Sequence, residues 1–262
     1  MSAFINHLDY SQVARGYDRS RRIEPAIIDA LVRGLDSLHA RNILELGAGT
    51  GNYTAALDAS GYAVTALDRS SAMVAIGAHK ARAAWIVADA GRLPLRANSV
   101  DAVAGVNVLH HLPDLAAALA ECRRVARAGV VLQAVVRENL ATLWYRHYFP
   151  EIDEVLLPLH PTLGSLLTTL LRCGFSHVAT RKVFYSGDCD LTFEAARARP
   201  QLLFDAGFRA ATSGFRRLEA DGIARGLAHL ERDIAAGRFA EIAARYGADH
   251  AASGDCVVLT AR

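Results

Sequence analysis

The chain has 262 residues, 52% of them hydrophobic, which is enough for one sizeable core or a core plus a cap. Its 29 basic and 27 acidic side chains leave a formal net charge of +2 and are spread along the chain, which argues against nucleic acid or an anionic membrane surface as a partner. The cysteines, Cys122, Cys173, Cys189 and Cys256, form no CxxC pair, so neither a metal site nor a disulfide framework is expected.

The amino end, "MSAFINHLDYSQVARGYDRSRR", has no apolar segment of the secretory type, and no later run approaches the roughly 20 apolar residues of a membrane span. A cytoplasmic protein is expected. Tyr10–Arg19 and Glu24–Leu38 read as helices. Short β-type runs then alternate with helical ones: "NILEL", "YAVTAL", "AWIVA", "VDAVAGV" and "GVVLQAVV", separated by helices near Tyr53–Ser60, Ser71–Lys80 and Asp114–Ala126, the last opened by Pro113. Strands that are apolar throughout and separated by single helices predict a parallel sheet covered on both faces, a doubly wound α/β domain. Beyond Arg137 the rhythm breaks. Two or three helices interrupted by Pro150, Pro158 and Pro161 precede a β-type run, "HVATRKVFYS", and a second helical stretch, Leu191–Tyr246, precedes the last one, "DCVVLTA".

The first strand runs into "LELGAGTGNYT", with glycines at 47, 49 and 51. A dinucleotide fingerprint, G-x-G-x-x-G, requires its third glycine where this chain has Asn52, and no Gly-Lys-Ser/Thr follows to make a P-loop. Alternate glycines still permit positive φ and close approach by a flat or bulky ligand. Asp68, at the end of the second strand, can accept hydrogen bonds from a ribose diol. The ligand is therefore expected to carry ribose and to lack a pyrophosphate.

With "ILELGAGTG", "VTALDRSSAMV", "VADAGRLPLRANSVDAV" and "NVLHHLPD" in this order, the chain resembles the class I S-adenosylmethionine-dependent methyltransferases, in particular the small-molecule branch of the ubiquinone and menaquinone C-methyltransferases. The resemblance covers Tyr10 to about Val136. It implies a Rossmann-like, doubly wound, mostly parallel seven-stranded sheet with a helical cap from late insertions. The implied segments are closing helices (1–40), a cofactor-binding core (41–137), a lid (138–177), a core strand (178–186), a second helical insertion or cap (187–252) and a final core strand (253–262). It further implies S-adenosyl-L-methionine as cofactor and S-adenosyl-L-homocysteine as product. Glu45 and the backbone of Gly47, Ala48 and Gly49 would face the methionine portion and ribose, and Asp68 the ribose hydroxyls. Arg69 and Met73 would flank the adenine, Asp89 would bond its amine with Ala90 beside it, and Asn107 would lie near the amino-acid end. Tyr17 and Arg21 would come from "YSQVARGYDRSR", which looks like the helix that closes over the cofactor in that branch.

Methyl transfer needs alignment, exclusion of water and, for many acceptors, proton removal. His110 and His111 lie beyond the fourth strand, at the crevice where open α/β sheets bind ligands, and are candidate bases; "HHLPD" can equally shape the site. The aromatic segment "LWYRHYFPE" is read as a helix that needs cover on more than one side, either a lid lining the acceptor pocket or a packed connector, with Tyr148 and His147 as further catalytic candidates. Such a cap points to a small-molecule acceptor and a monomer or homodimer. Two alternatives keep the cofactor site: a non-methylating reaction on the same fold, and a binding protein without turnover.

Overall fold

The computed structural model describes residues 22–186, 195–212 and 214–262; the helix expected at Tyr10–Arg19 lies outside them. The first elements are α1 (Pro25–Ser37), β1 (Asn42–Leu46), α2 (Asn52–Ala59), β2 (Ala63–Asp68), α3 (Ser71–Gly77), β3 (Ala84–Val87), β4 (Val100–Val106), α4 (Leu115–Val125) and β5 (Ala126–Ala134), helix and strand alternating except that a loop joins β3 to β4. There follow α5 (Arg137–Leu140), α6 (Ile152–Leu156), α7 (Leu163–Arg172), β6 (Val178–Val183), α8 (Ala195–Ala198), α9 (Ala206–Ala211), α10 (Ala220–Ala235), α11 (Phe239–Ser253) and β7 (Cys256–Ala261). Local chemistry sets several starts. Asp114 accepts the Ala117 N–H at 2.9 Å and Thr162 accepts the Ser165 N–H at 3.1 Å, so each supplies the side-chain acceptor that an open helix end requires. Pro113 lies before the Asp114 cap rather than inside the helix it was expected to open.

The strands form one seven-stranded sheet in the order β3-β2-β1-β4-β5-β7-β6, with β7 alone antiparallel to its neighbours. This is the mostly parallel, doubly wound sheet expected. Successive side chains of β1 point to opposite faces, so Leu44 and Leu46 pack with Leu119 of α4 and Leu170 of α7, whereas Ile43 packs with Leu31 and Leu35 of α1. Winding reverses at β1, between β2 and β4, and connections leaving the carboxyl ends of β1 and β4 part in opposite directions. That leaves a crevice.

The late helices divide by packing. Leu166 and Leu170 place α7 on the sheet, while Trp144, Tyr145 and Phe149 join Leu203, Phe208, Phe215 and Leu230 in a separate core shared by both insertions. "LWYRHYFPE" does not continue as one helix. It forms a 3-10 turn over Trp144–His147 between α5 and α6, because Pro150 prevents an uninterrupted helical ladder and the rings are drawn to different neighbours. Trp144 meets Phe239 edge-on at 4.8 Å and Phe149 meets Phe215 at 5.0 Å, so the segment is covered from more than one side.

Asn139 ties the insertions to the sheet. Its Oδ1 accepts the Val136 N–H at 2.9 Å, and its Nδ2 donates to the Ser253 and Gly254 carbonyls at 3.0 and 3.1 Å, all at a buried position. Asn139→Leu keeps the volume but strands these groups, and should cost about 2–4 kcal/mol of unfolding free energy in urea titration. A loss below about 0.5 kcal/mol, the range of an ordinary surface change, would contradict the clamp.

Candidate functional site

The turn after β1 carries three positive φ angles, +68° at Gly47, +56° at Gly49 and +79° at Gly51. Two of these glycines are required for different reasons. A Cβ on Gly51, the residue that caps α2, would lie 2.9 Å from the Trp85 indole, so the missing side chain lets the ring pack. A Cβ on Gly49 would meet nothing within 4 Å, so that side of the turn is open. Asn52, where a dinucleotide loop needs glycine, is the first residue of α2 and accepts a hydrogen bond from Lys80 Nζ at 2.8 Å.

Asp68, at the carboxyl end of β2, fixes the turn. Its Oδ2 accepts the Gly49 N–H at 2.9 Å and its Oδ1 accepts the Ser70 N–H at 2.8 Å, while Ser70 caps α3 through the Met73 N–H. The carboxylate thus holds the loop and helps set the start of α3 at once. Across the crevice, Asn107 follows β4 in the left-handed region at φ +51°, and its N–H donates to Gln133 Oε1 at 2.8 Å. Asparagine tolerates that conformation better than most side chains. Gln133 pairs in register with Val106, is fully buried, and leaves its Nε2 without a partner among the described residues.

Gly47, Gly49, Asp68, Arg69, Met73, Asp89, Ala90, Asn107 and His111 line one cleft at this crevice, with Leu67, Val106 and Val108 as apolar wall. Asp89 Oδ1 accepts the Gly91 N–H at 2.7 Å, making it a turn residue as well as a cleft residue. Ala48 lies buried in the turn, its N–H donating to the Leu67 carbonyl at 2.9 Å. Glu45 is buried two residues before Gly47 and accepts the Thr54 hydroxyl at 2.5 Å. Burial pushes its carboxyl up to about 7, with the Thr54 bond opposing and the Asp68 charge adding to the rise.

The two histidine rings touch, with centroids 4.0 Å apart, but face different neighbours: His111 reaches the cleft wall, and the ring of His110 also stacks on His160 at 4.5 Å. Burial holds His160 below the ordinary histidine value, and its Nδ1 lies 3.0 Å from the Val135 carbonyl. Tyr148 is buried in the cap core, where its hydroxyl donates to Asp233 Oδ2 at 3.3 Å, and His147 lines a separate groove beside it. The structure does not bring these two to the cleft. Tyr17 and Arg21 lie outside the described residues. Sequence reasoning missed Gln133, His160 and Trp85. Gln133 left a signal, as the one polar residue inside the apolar run "GVVLQAVV".

The two glycines should respond differently. Gly49→Ala adds only left-handed strain and should cost about 1–2 kcal/mol, whereas Gly51→Ala also collides with Trp85 and should cost about 2–4 kcal/mol by denaturant unfolding. Equal losses would contradict the division of roles. Glu45 should appear in the pH dependence of stability. Its folded pKa of about 7 lies above the ordinary value of 4.5, so its contribution is fully present below pH 4.5 and is lost as pH rises towards 7. Glu45→Gln should therefore gain about 3 kcal/mol on the parent between roughly pH 4 and pH 8. A difference independent of pH would show that the carboxyl titrates in the folded protein as it does in the unfolded chain.

Residues 44–133 match the family described as a methyltransferase domain. The chain is 37% identical over 126 residues to a demethylmenaquinone methyltransferase of Beutenbergia cavernae, a match covering 46% of this chain and 52% of that protein, about half its length. It is 25% identical over 197 residues to a malonyl-[acyl-carrier protein] O-methyltransferase of Hamiltonella defensa, covering 64% and 76% of the two chains. A crystal structure of a candidate methyltransferase from an antibiotic biosynthesis pathway of Anabaena variabilis superposes with a TM-score of 0.75 at 29% identity, over 92% of this chain and 98% of that one. Residues 44–133, which carry the glycine turn, Asp68 and Asp89, are thus similar to a methyltransferase domain, and the chain shares its fold with the A. variabilis candidate methyltransferase.

Proposed function

We propose that the protein transfers the methyl group of S-adenosylmethionine to a small-molecule acceptor, an oxygen, nitrogen or carbon nucleophile, in a biosynthetic pathway. The observation that carries this reading is the open side of Gly49 beside the Asp68 carboxylate in one cleft. Bound S-adenosylmethionine supplies a methyl group activated by its sulfonium. The residues present fit that cofactor. Each Asp68 oxygen already accepts one backbone N–H, and a carboxylate has about four acceptor positions, so one on each oxygen is left for the two ribose hydroxyls. Asp89 keeps Oδ2 for the adenine amine, with Arg69, Met73 and Ala90 around the base.

Charge supports the reading as well. No basic side chain among the described residues pairs with Glu45, and a sulfonium with an α-ammonium group brings the positive charge that its carboxyl lacks. The backbone of Gly47 and Ala48, together with Asn107, would hold the amino-acid end, and Tyr17 and Arg21 would close over it from the amino-terminal segment. His111 stands at the cleft wall and is proposed to take the acceptor's proton, a role that an imidazole can fill by accepting on a ring nitrogen. His110, stacked on His160, is proposed to support the loop that carries His111. Tyr148 and His147 sit in the cap away from the cleft and are not needed for these steps. A biosynthetic role and a small acceptor draw support from the likeness to the A. variabilis protein, which extends beyond the sheet to most of this chain.

Calorimetry with S-adenosylmethionine, S-adenosylhomocysteine and NAD tests the assignment. The first two should bind and NAD should not, and Asp68→Ala should weaken S-adenosylhomocysteine by about 2–3 kcal/mol with the circular dichroism spectrum retained. NAD binding at comparable affinity, or an unchanged Asp68→Ala, would overturn it.

A further inference from the structure

In the cap, His147 of the first insertion meets His229 and Asp233 of the second. His229 and Asp233 are four residues apart on α10 and so share one face of the helix; His147 comes from the 3-10 turn that precedes α6. One donor atom from each of the three lies within 4.8 Å of the others. His229 Nε2 and Asp233 Oδ2 are 3.4 Å apart. Two ligands at 2.0–2.1 Å from a tetrahedral ion stand about 3.3 Å from each other, so this pair is already at ligating separation. The His147 ring is centred 5.4 Å from that of His229 and is exposed, so a side-chain rotation suffices to bring its nitrogen in.

The carboxylate is held for this task. Asp233 is buried, and its Oδ1 accepts from Arg238 Nε and Nη2 at 3.0 and 2.5 Å, which leaves Oδ2 turned to the two imidazoles with only the Tyr148 hydroxyl donating to it. Ligating carboxylates and imidazoles are commonly oriented by such outer partners. The groove beside the cluster also holds Arg225 and Glu151, which pair with each other at 2.9 Å, so that arginine's charge is offset locally. Two imidazoles and one carboxylate suit a borderline transition ion such as Zn²⁺, Co²⁺ or Ni²⁺ rather than Mg²⁺ or Ca²⁺, which prefer oxygen ligands.

We propose that His147, His229 and Asp233 form a binding site for a divalent transition metal, with water completing the shell, that staples the two cap insertions together. The site is separate from the cofactor cleft, and the inference stands whether or not the chain transfers methyl groups.

The test uses the full chain, free of any affinity tag, stripped with a chelator and titrated with Zn²⁺ and Co²⁺ at neutral pH. One equivalent should bind per chain, Co²⁺ should develop the visible absorption bands of a four-coordinate site, and Zn²⁺ should raise the thermal midpoint. His147→Ala, at an exposed turn, should fold as the parent does and lose at least about tenfold in affinity; His229→Ala should behave the same way. Binding of Co²⁺ with an octahedral spectrum, affinity unaffected by both substitutions, or no binding below about 0.1 mM would overturn the proposal.

Discussion

The bond from the Gly49 N–H to Asp68 Oδ2 joins the turn after β1 to the end of β2, and the geometry of the cleft follows from it. With the turn pinned on that side, three left-handed glycines at alternate positions carry the chain away from the sheet and into α2, and Trp85 packs behind Gly51. The same carboxylate takes the Ser70 N–H, so loop and helix start are set by one side chain. Because the charge sits where the sheet reverses its winding, it faces the crevice rather than the core. A half-buried carboxylate at the cleft wall holds the turn and still presents its remaining lone pairs to a ligand.

The opposite wall depends on a second amide-to-side-chain bond. Gln133 holds the Asn107 N–H and thereby keeps the residue after β4 in the left-handed region, which turns the chain towards His111. The two walls come from strands on either side of the switch point. Neither involves the cap, whose aromatic core is built from both insertions and anchored through Asn139. The cap touches the site through the His110–His160 stack, where a ring from the loop after β4 meets one from the first insertion.

Much of this was legible in the chain itself, for physical reasons. All-apolar runs separated by single helices leave few alternatives to a parallel sheet, and the glycine turn and the acids at 68 and 89 lie near in sequence to the strand ends that position them. What could not be read depends on distant pieces meeting. His147 and His229 are 82 positions apart, from 229 − 147, and nothing in their local patterns relates them. The helix expected for "LWYRHYFPE" fails because helical periodicity presumes a continuous helix, which Pro150 interrupts; the cover expected on more than one side is still found, since four large rings require it in any backbone conformation. The aromatic company that makes Tyr148 a catalytic candidate in the sequence is the same feature that places it in the cap core beside Asp233.

The central claim is that the cleft between β1, β2 and β4 is the S-adenosylmethionine site and is organised by the Gly49 and Asp68 contact. Hydrogen exchange followed by mass spectrometry, with and without S-adenosylhomocysteine, reads it directly, because amides that a ligand locks exchange more slowly. Peptides containing Gly47–Asn52, Asp68–Met73 and Asn107–His111 should gain protection, and the α10 peptide carrying His229 should not change. Protection confined to α10 and the aromatic cap, with the glycine turn unaffected, would place the ligand elsewhere and contradict the account.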